Sequence, residues 1–173
     1  EPGGTKISEN LRKIILSSKL DIDTTMEVLL LMASRLDHIN KIINPALKKG
    51  KIVICDRFVD STAIYQGYYN NFGISKIYKL HKEILNNLLP DITFFFDAKI
   101  QLIRSRLNKR KNKNKYDLIN KNFNNKIKGG YLKIAKNNKR FTIIDASLPV
   151  NEIHNIIIKK INLKLNKHAS KKY

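Results

Sequence analysis

Two hydrophobic periods alternate along this chain. Met26, Leu29, Leu30, Ala33, Leu36, Ile39 and Ile43 recur at helical spacing and predict one long helix. Thr24-Thr25-Met26-Glu27 has the capping-box pattern that would start it. Pro45 would kink that helix or restart it for a last turn, and Gly50 would end it. A shorter helix is predicted over 8–18, with Leu11, Ile14 and Ile15 on one face and Arg12 beside them. Helical patterns return at about 74–89, 99–109, 118–135 and 150–165. Between them lie short apolar runs at 52–55, 92–96 and 141–144, each ending in an acid: Asp56, Asp97 and Asp145. The first two runs are apolar on both faces, as parallel strands covered by helices are. Strands alternating with helices predict a three-layer α/β fold with a parallel sheet. No internal repeat or domain boundary stands out in 1–165, and 166–173 read as a polar tail.

Composition narrows the class. Of 173 residues, 42% are hydrophobic, which suits one domain with a real core and excludes a disordered polymer. The longest apolar runs, 92–96 and 28–33, are far too short to span a bilayer, and no charged-then-apolar leader opens the chain at Glu1-Pro2-Gly3-Gly4. Cys55 is the single cysteine, so an internal disulfide is impossible. It reads as a buried structural thiol in a reducing, cytoplasmic setting.

The formal net charge of +20 predicts non-specific attraction to polyanions. The cations are mostly lysines mixed with Asn and Ile, without an aromatic-interleaved basic stripe, so they read as a solvated surface and no specific nucleic-acid site is expected. One cluster, Asn108-Lys109-Arg110-Lys111-Asn112-Lys113-Asn114-Lys115, is too charged to bury. It is either a solvated loop or a mobile basic lid over phosphates.

The densest chemistry lies at 51–67. Open α/β sheets bind ligands beyond the C-terminal tips of their strands. A strand at 52–55 would deliver Asp56 and Arg57 to such a tip, and a short polar helix or loop would carry Thr62, Tyr65 and Gln66 past the same cleft. That build suits a phosphorylated small molecule. Each residue also has a plainer alternative: a solvent-facing helix cation for Arg12, an intrahelical pair for Arg35, a strand-end salt bridge for Arg57, and a core ring for Tyr65.

Taken in order, the landmarks resemble the bacterial thymidylate kinase family. Glu1-Pro2-Gly3-Gly4-Thr5 is similar to its EPGGT loop, and Asn44-Pro45-Ala46-Leu47 followed by Gly50 to the segment before its third strand. Asp56-Arg57-Phe58 resembles its DRY/DRF motif, and Tyr65-Gln66-Gly67 its YQG. Pro90-Asp91-Ile92-Thr93 followed by Asp97, then Gly130-Tyr131-Leu132 and Ile144-Asp145-Ala146, match later landmarks, so the likeness runs from Glu1 to about Ile161.

The resemblance implies a nucleoside-monophosphate-kinase-like fold that transfers the γ-phosphoryl of ATP to dTMP with Mg²⁺. It implies a cytoplasmic homodimer, formed through helices such as those over 24–49. Arg12 and Arg57 would hold the dTMP phosphate, where a planar fork gives geometry as well as charge. Arg35 would reach the thymine edge, Leu31 would lie against the base where relatives often carry Phe, and Thr62 and Gln66 would hydrogen-bond the base. Tyr65 would pack on the deoxyribose. In a lid over 106–117, Arg106 and Arg110 would neutralise charge on the transferred group. Lys115 stands where many relatives have Arg, replacing a fork with a point charge. Ala146 would sit near the adenine, unless 145–147 is merely a hinge loop, and Asp56 would order Arg57 or a water on magnesium.

No G-x-x-x-x-G-K-[ST] pattern occurs in the 173 residues. In the family that phosphate loop precedes EPGGT. The expectation is therefore a fold without the N-terminal strand and P-loop helix, holding the acceptor and lid parts and inactive and unstable by itself. The rival expectations are a non-catalytic remnant with salt-sensitive nucleic-acid binding, and another nucleoside monophosphate kinase on the same acceptor scaffold.

Overall fold

The computed structural model describes residues 2–17, 19–108, 121–136 and 138–169. These fall into two compact units, one over 1–89 with 113–130 and the other over 90–112 with 131–173.

The first unit is helical. Helix α1 spans Lys6–Leu16 because Thr5 caps it, its side chain accepting from the Ser8 N–H. Ser8, Leu11 and Ile15 turn inward, and the Ser8 hydroxyl donates to the Ser34 carbonyl at 2.8 Å, pinning α1 to the next helix. Ile14, expected on the inner face, is exposed.

Helix α2, Thr24–His38, is capped by Asp23 and not by Thr24: the Asp23 carboxylate accepts from the Met26 N–H at 2.7 Å. Thr24 is already helical, one position inside the cap, and Glu27 is buried. The orientation of α2 also departs from its apolar pattern. Met26, Leu29, Ala33 and Leu36 face outward, whereas Val28, Leu31, Met32, Ser34 and Arg35 are buried. The helix is apolar nearly all round, so periodicity alone could not say which side is inner.

Pro45 sits in the first turn of a restarted helix, the second of the two alternatives expected for it. A π-helical turn over Ile39–Ile43 widens the backbone, the Asn44 N–H reaching back to the Ile39 carbonyl, and α3, Asn44–Lys48, follows with Pro45 in its first turn. A widened turn accommodates a ring that would clash with an α-helical carbonyl and has no N–H to give. Gly50, at φ 70°, closes the helix in the left-handed conformation.

Residues 52–55, expected as a strand, form no ladder. A strand requires a neighbour to satisfy its N–H and C=O groups, and the other described elements of this unit are helices. Val53 and Cys55 pack inward, while Ile52 and Ile54 are 63% and 88% exposed. Cys55 is half-buried, its thiol donating to the Arg57 carbonyl at 3.5 Å.

The chain then forms α4, Val59–Thr62, a second π-helical stretch, Ala63–Tyr69, and α5, Ile74–Ile84. Helix α5 is shorter than its pattern suggests: Leu85 caps it, and Asn86 and Asn87 turn the chain at positive φ, which Asn tolerates. The core of the unit joins Val28, Met32, Ile39, Phe58, Val59, Ala63 and Ile77.

The second unit holds β1, Thr93–Asp97, and β2, Phe141–Asp145, paired in parallel from Thr93↔Phe141 to Asp97↔Asp145. The parallel pairing agrees with the sequence; among the described residues the sheet has two strands, not three. Helix α6 spans Ile100–Asn108; α7 spans Lys121–Lys136, of which 121–130 belong to the first unit and 131–136 to the second. Helix α8, Val150–Ala169, runs past 165, where a polar tail was expected, because nothing in it is Gly or Pro. No described helix is long and apolar enough to cross a membrane.

Candidate functional site

Arg35 is the centre of the first unit's polar interior. It sits on the inner face of α2 and is only 2% exposed, so its guanidinium needs partners. One N–H donates to the Thr62 hydroxyl at 2.8 Å, and another points at the Met32 sulfur at 3.6 Å. The Phe58 ring lies 5.2 Å from its guanidinium carbon. Thr62, also 2% exposed, ends α4, and Leu31 is buried one turn before Arg35. Gln66, on the second π-helical stretch, is buried as well.

Arg57 is the exposed counterpart. Its φ of 61° is a left-handed conformation that costs a non-glycine residue roughly 1–3 kcal/mol and that concentrates at functional sites. It aims the guanidinium over the Tyr65 ring, 4.6 Å from the centroid, with an N–H donating to the Tyr65 hydroxyl. Tyr65 also meets Phe123 of α7 in a T-shaped contact, with centroids 6.0 Å apart.

The π-helical stretch passes close to the start of α5: a Cβ on Gly67 would come to 3.2 Å from the Ile74 backbone, a tight approach that glycine accommodates without adjustment. Asp60, buried beside Thr62, accepts from the Tyr78 hydroxyl at 2.6 Å and ties α4 to α5.

Arg12 lies on the first helix. It is half-exposed on α1, and its ion-pair partner is Glu9, 3.7 Å away and three residues back. Gly4 and Thr5, just before α1, are nevertheless well tied. The Gly4 N–H donates to Glu9 at 3.0 Å, the Thr5 hydroxyl donates to Asp37, and Asp37 pairs with Lys41. Lys41 first, and then Thr5, hold the Asp37 carboxyl below its ordinary value. Asp56 is exposed, and among the described residues no group of three His, Cys, Asp or Glu side chains forms a metal cluster.

In the second unit Arg106 and Ala146 come together. Arg106, in the last turn of α6, donates to the Ala146 carbonyl at 3.1 Å, and Ala146 is buried just beyond β2. Asp145 shapes that turn by accepting from the Ser147 N–H and hydroxyl. Arg110 and Lys115, and with them most of the expected lid, lie outside the described residues.

Three side chains beside the site carried no role in the sequence reading: Phe58 under Arg35, His81 against Phe58, and Phe123 against Tyr65. Phe58 lies inside the Asp-Arg-Phe motif and could have been suspected. His81 and Phe123 reach the site only through tertiary packing.

Comparison with known proteins gives one consistent answer. The family profile described as Thymidylate kinase matches residues 1–157. The thymidylate kinase of Mycoplasma capricolum subsp. capricolum is 42% identical over 175 aligned residues, covering 99% of this chain and 82% of that protein. That of Geobacillus sp. is 43% identical, over 88% and 75%. The crystal structure of thymidylate kinase from Ehrlichia chaffeensis is similar with a TM-score of 0.72 and 34% identity, over 94% of this chain and 77% of that one.

Proposed function

The chain belongs to the thymidylate kinase family, and from that premise we propose that its first unit is the acceptor site that grips dTMP. ATP-dependent phosphorylation of dTMP is the family's reaction, which makes this a nucleoside monophosphate kinase. The observation that carries the acceptor assignment is a pair of arginines in contrasting settings. Arg35 is buried and fixed on Thr62, whereas Arg57 is exposed and set on Tyr65.

The division of work follows from burial. A dry guanidinium with a fixed direction suits a neutral partner with a directional acceptor, and the thymine edge is that partner. Thr62 and Gln66 complete the polar lining, with Leu31 as the apolar surface for the ring. A solvent-reachable guanidinium suits a dianion, so Arg57 takes the phosphate bidentately, and Arg12 adds a second cation once Glu9 is displaced. Tyr65 lies beneath Arg57 and meets the sugar, where its ring leaves no room for a 2′-hydroxyl. Neutralising the acceptor phosphate also lowers its repulsion of the incoming phosphoryl group.

On the donor side, Arg106 with Ala146 marks the adenine end, and Arg110 and Lys115 serve the charge of the transferred group. Mg²⁺, when bound, supplies charge neutralisation between the phosphates. A single exposed carboxylate at Asp56 suits an ion that keeps most of its waters. A second copy of the chain covers the outward stripe Met26, Leu29, Ala33 and Leu36, since such a stripe on a helix whose other face is buried suits an isologous contact. A reducing, cytoplasmic setting is in keeping with the free thiol of Cys55.

Calorimetric titration of the chain with dTMP, dUMP, dCMP and GMP tests the acceptor assignment and needs no donor site. dTMP binds tightest, and Arg35→Ala narrows its lead over dCMP. Equal affinity for all four nucleotides would overturn the assignment.

A further inference from the structure

Arg35 does not hold its direction by Thr62 alone. Phe58 lies under its guanidinium at 5.2 Å, and His81 of α5 meets the Phe58 ring edge-on, with centroids 5.6 Å apart and planes at 83°. All three are buried: Arg35 is 2% exposed, Phe58 8% and His81 0%. His81 is itself fixed at the far end. Its Nε2 lies 2.6 Å from the Leu88 carbonyl, and a carbonyl can only accept, so that nitrogen carries the proton. Leu88 follows Asn86 and Asn87, the left-handed pair that ends α5 and turns its carbonyl back to the ring.

We propose that Phe58 and His81 are positioning residues for the base site, a buried stack that orients Arg35 from below while Thr62 holds it from the side. The inference rests on the assignment of Arg35 to the thymine edge. A guanidinium has five N–H donors in a rigid plane, and hydrogen bonds such as the one to Thr62 restrain it within that plane. A ring beneath the plane adds a restraint from below, and the T-shaped contact with His81, itself hydrogen-bonded, keeps that ring from tilting. The stack leads from α5 through the Asp-Arg-Phe segment to α2. It gives the motif's third residue a task distinct from that of Arg57.

The test compares affinity for dTMP with affinity for 2-deoxyribose 5-phosphate, which keeps the phosphate and sugar but lacks the base. Phe58→Leu keeps apolar bulk and loses the ring; it weakens dTMP about 5- to 30-fold, the worth of one desolvated cation–π contact, and leaves 2-deoxyribose 5-phosphate unchanged. Phe58→Tyr retains the ring and most of the affinity. His81→Gln, which keeps a donor for Leu88 but not the aromatic edge, weakens dTMP several-fold; His81→Phe weakens it less. In an Arg35→Ala background Phe58→Leu has no further effect on dTMP.

Equal loss of both ligands in Phe58→Leu, or additive losses in the double variant, would show a merely structural role and overturn the inference. So would unfolding of Phe58→Leu if Phe58→Tyr, still folded, bound dTMP as poorly as Arg35→Ala. If Arg35→Ala itself leaves dTMP affinity unchanged, the base assignment fails instead, and the two failures are distinguishable.

Discussion

Replacing Thr62 by Val probes the polar interior most cleanly. The two side chains have nearly the same shape, so packing is kept and only the acceptor for Arg35 is lost. That acceptor is 2.8 Å from a guanidinium nitrogen, and both residues are 2% exposed. A buried hydrogen bond to a charged group contributes about 1.5–3 kcal/mol, and water cannot readily take its place here. For a protein of this size each kcal/mol moves the thermal midpoint by about 2–4 °C, so Thr62→Val lowers it by roughly 3–12 °C. Thr62→Ser keeps the hydroxyl and loses less than half of that. Removing both partners is far cheaper than removing one, so Arg35→Met in the Thr62→Val background recovers stability. Circular dichroism melts of the four proteins form a double-mutant cycle. A midpoint for Thr62→Val within 1 °C of the parent, or additive single losses, would refute the buried bond as a stabilising contact.

Three further outcomes follow from the same structure. Adjacent glycines respond oppositely to alanine. Gly130→Ala drives a Cβ to 2.8 Å from the Tyr68 ring and 3.2 Å from fully buried Ile64, and it loses about 1–3 kcal/mol by denaturant melts; Gly129→Ala meets nothing within 4 Å and gains up to about 1 kcal/mol. Asp37 has a folded pKa below its ordinary value of about 4, so its contribution is complete above that value and is lost as pH falls through the lower folded one. Asp37→Asn accordingly lowers stability at pH 7 and flattens its acid dependence below about pH 4 in pH-resolved melts. If the outward stripe of α2 is the proposed contact between copies, the parent sediments as a dimer and Leu29→Glu as a monomer without loss of helicity.

Much of this was legible in the residues, for reasons that can be named. The parallel pair of strands was readable because 92–96 and 141–144 are short, apolar and flanked by helical patterns. The site segment was readable because Asp56-Arg57 and Tyr65-Gln66-Gly67 are local motifs. The inner face of α2 was not, since a helix apolar nearly all round gives no phase, and the buried side proved to carry Glu27, Ser34 and Arg35. Residues 52–55 have a strand's composition, but a ladder depends on a neighbour, which composition does not encode. The support under Arg35 was hidden for a similar reason: His81 is 23 positions from Phe58, and only the packing of α5 brings them together.

The central claim is that Arg57 grips the acceptor's phosphate. Its most direct test is the difference in affinity between dTMP and thymidine, which isolates the phosphate, measured by calorimetry in the parent chain and in Arg57→Ala. With Arg57 as the grip, the phosphate improves parental affinity by at least about tenfold, equivalent to about 1.4 kcal/mol, and most of that gain vanishes in the variant while thymidine binding is unchanged. A phosphate gain that survives intact in Arg57→Ala would contradict the claim.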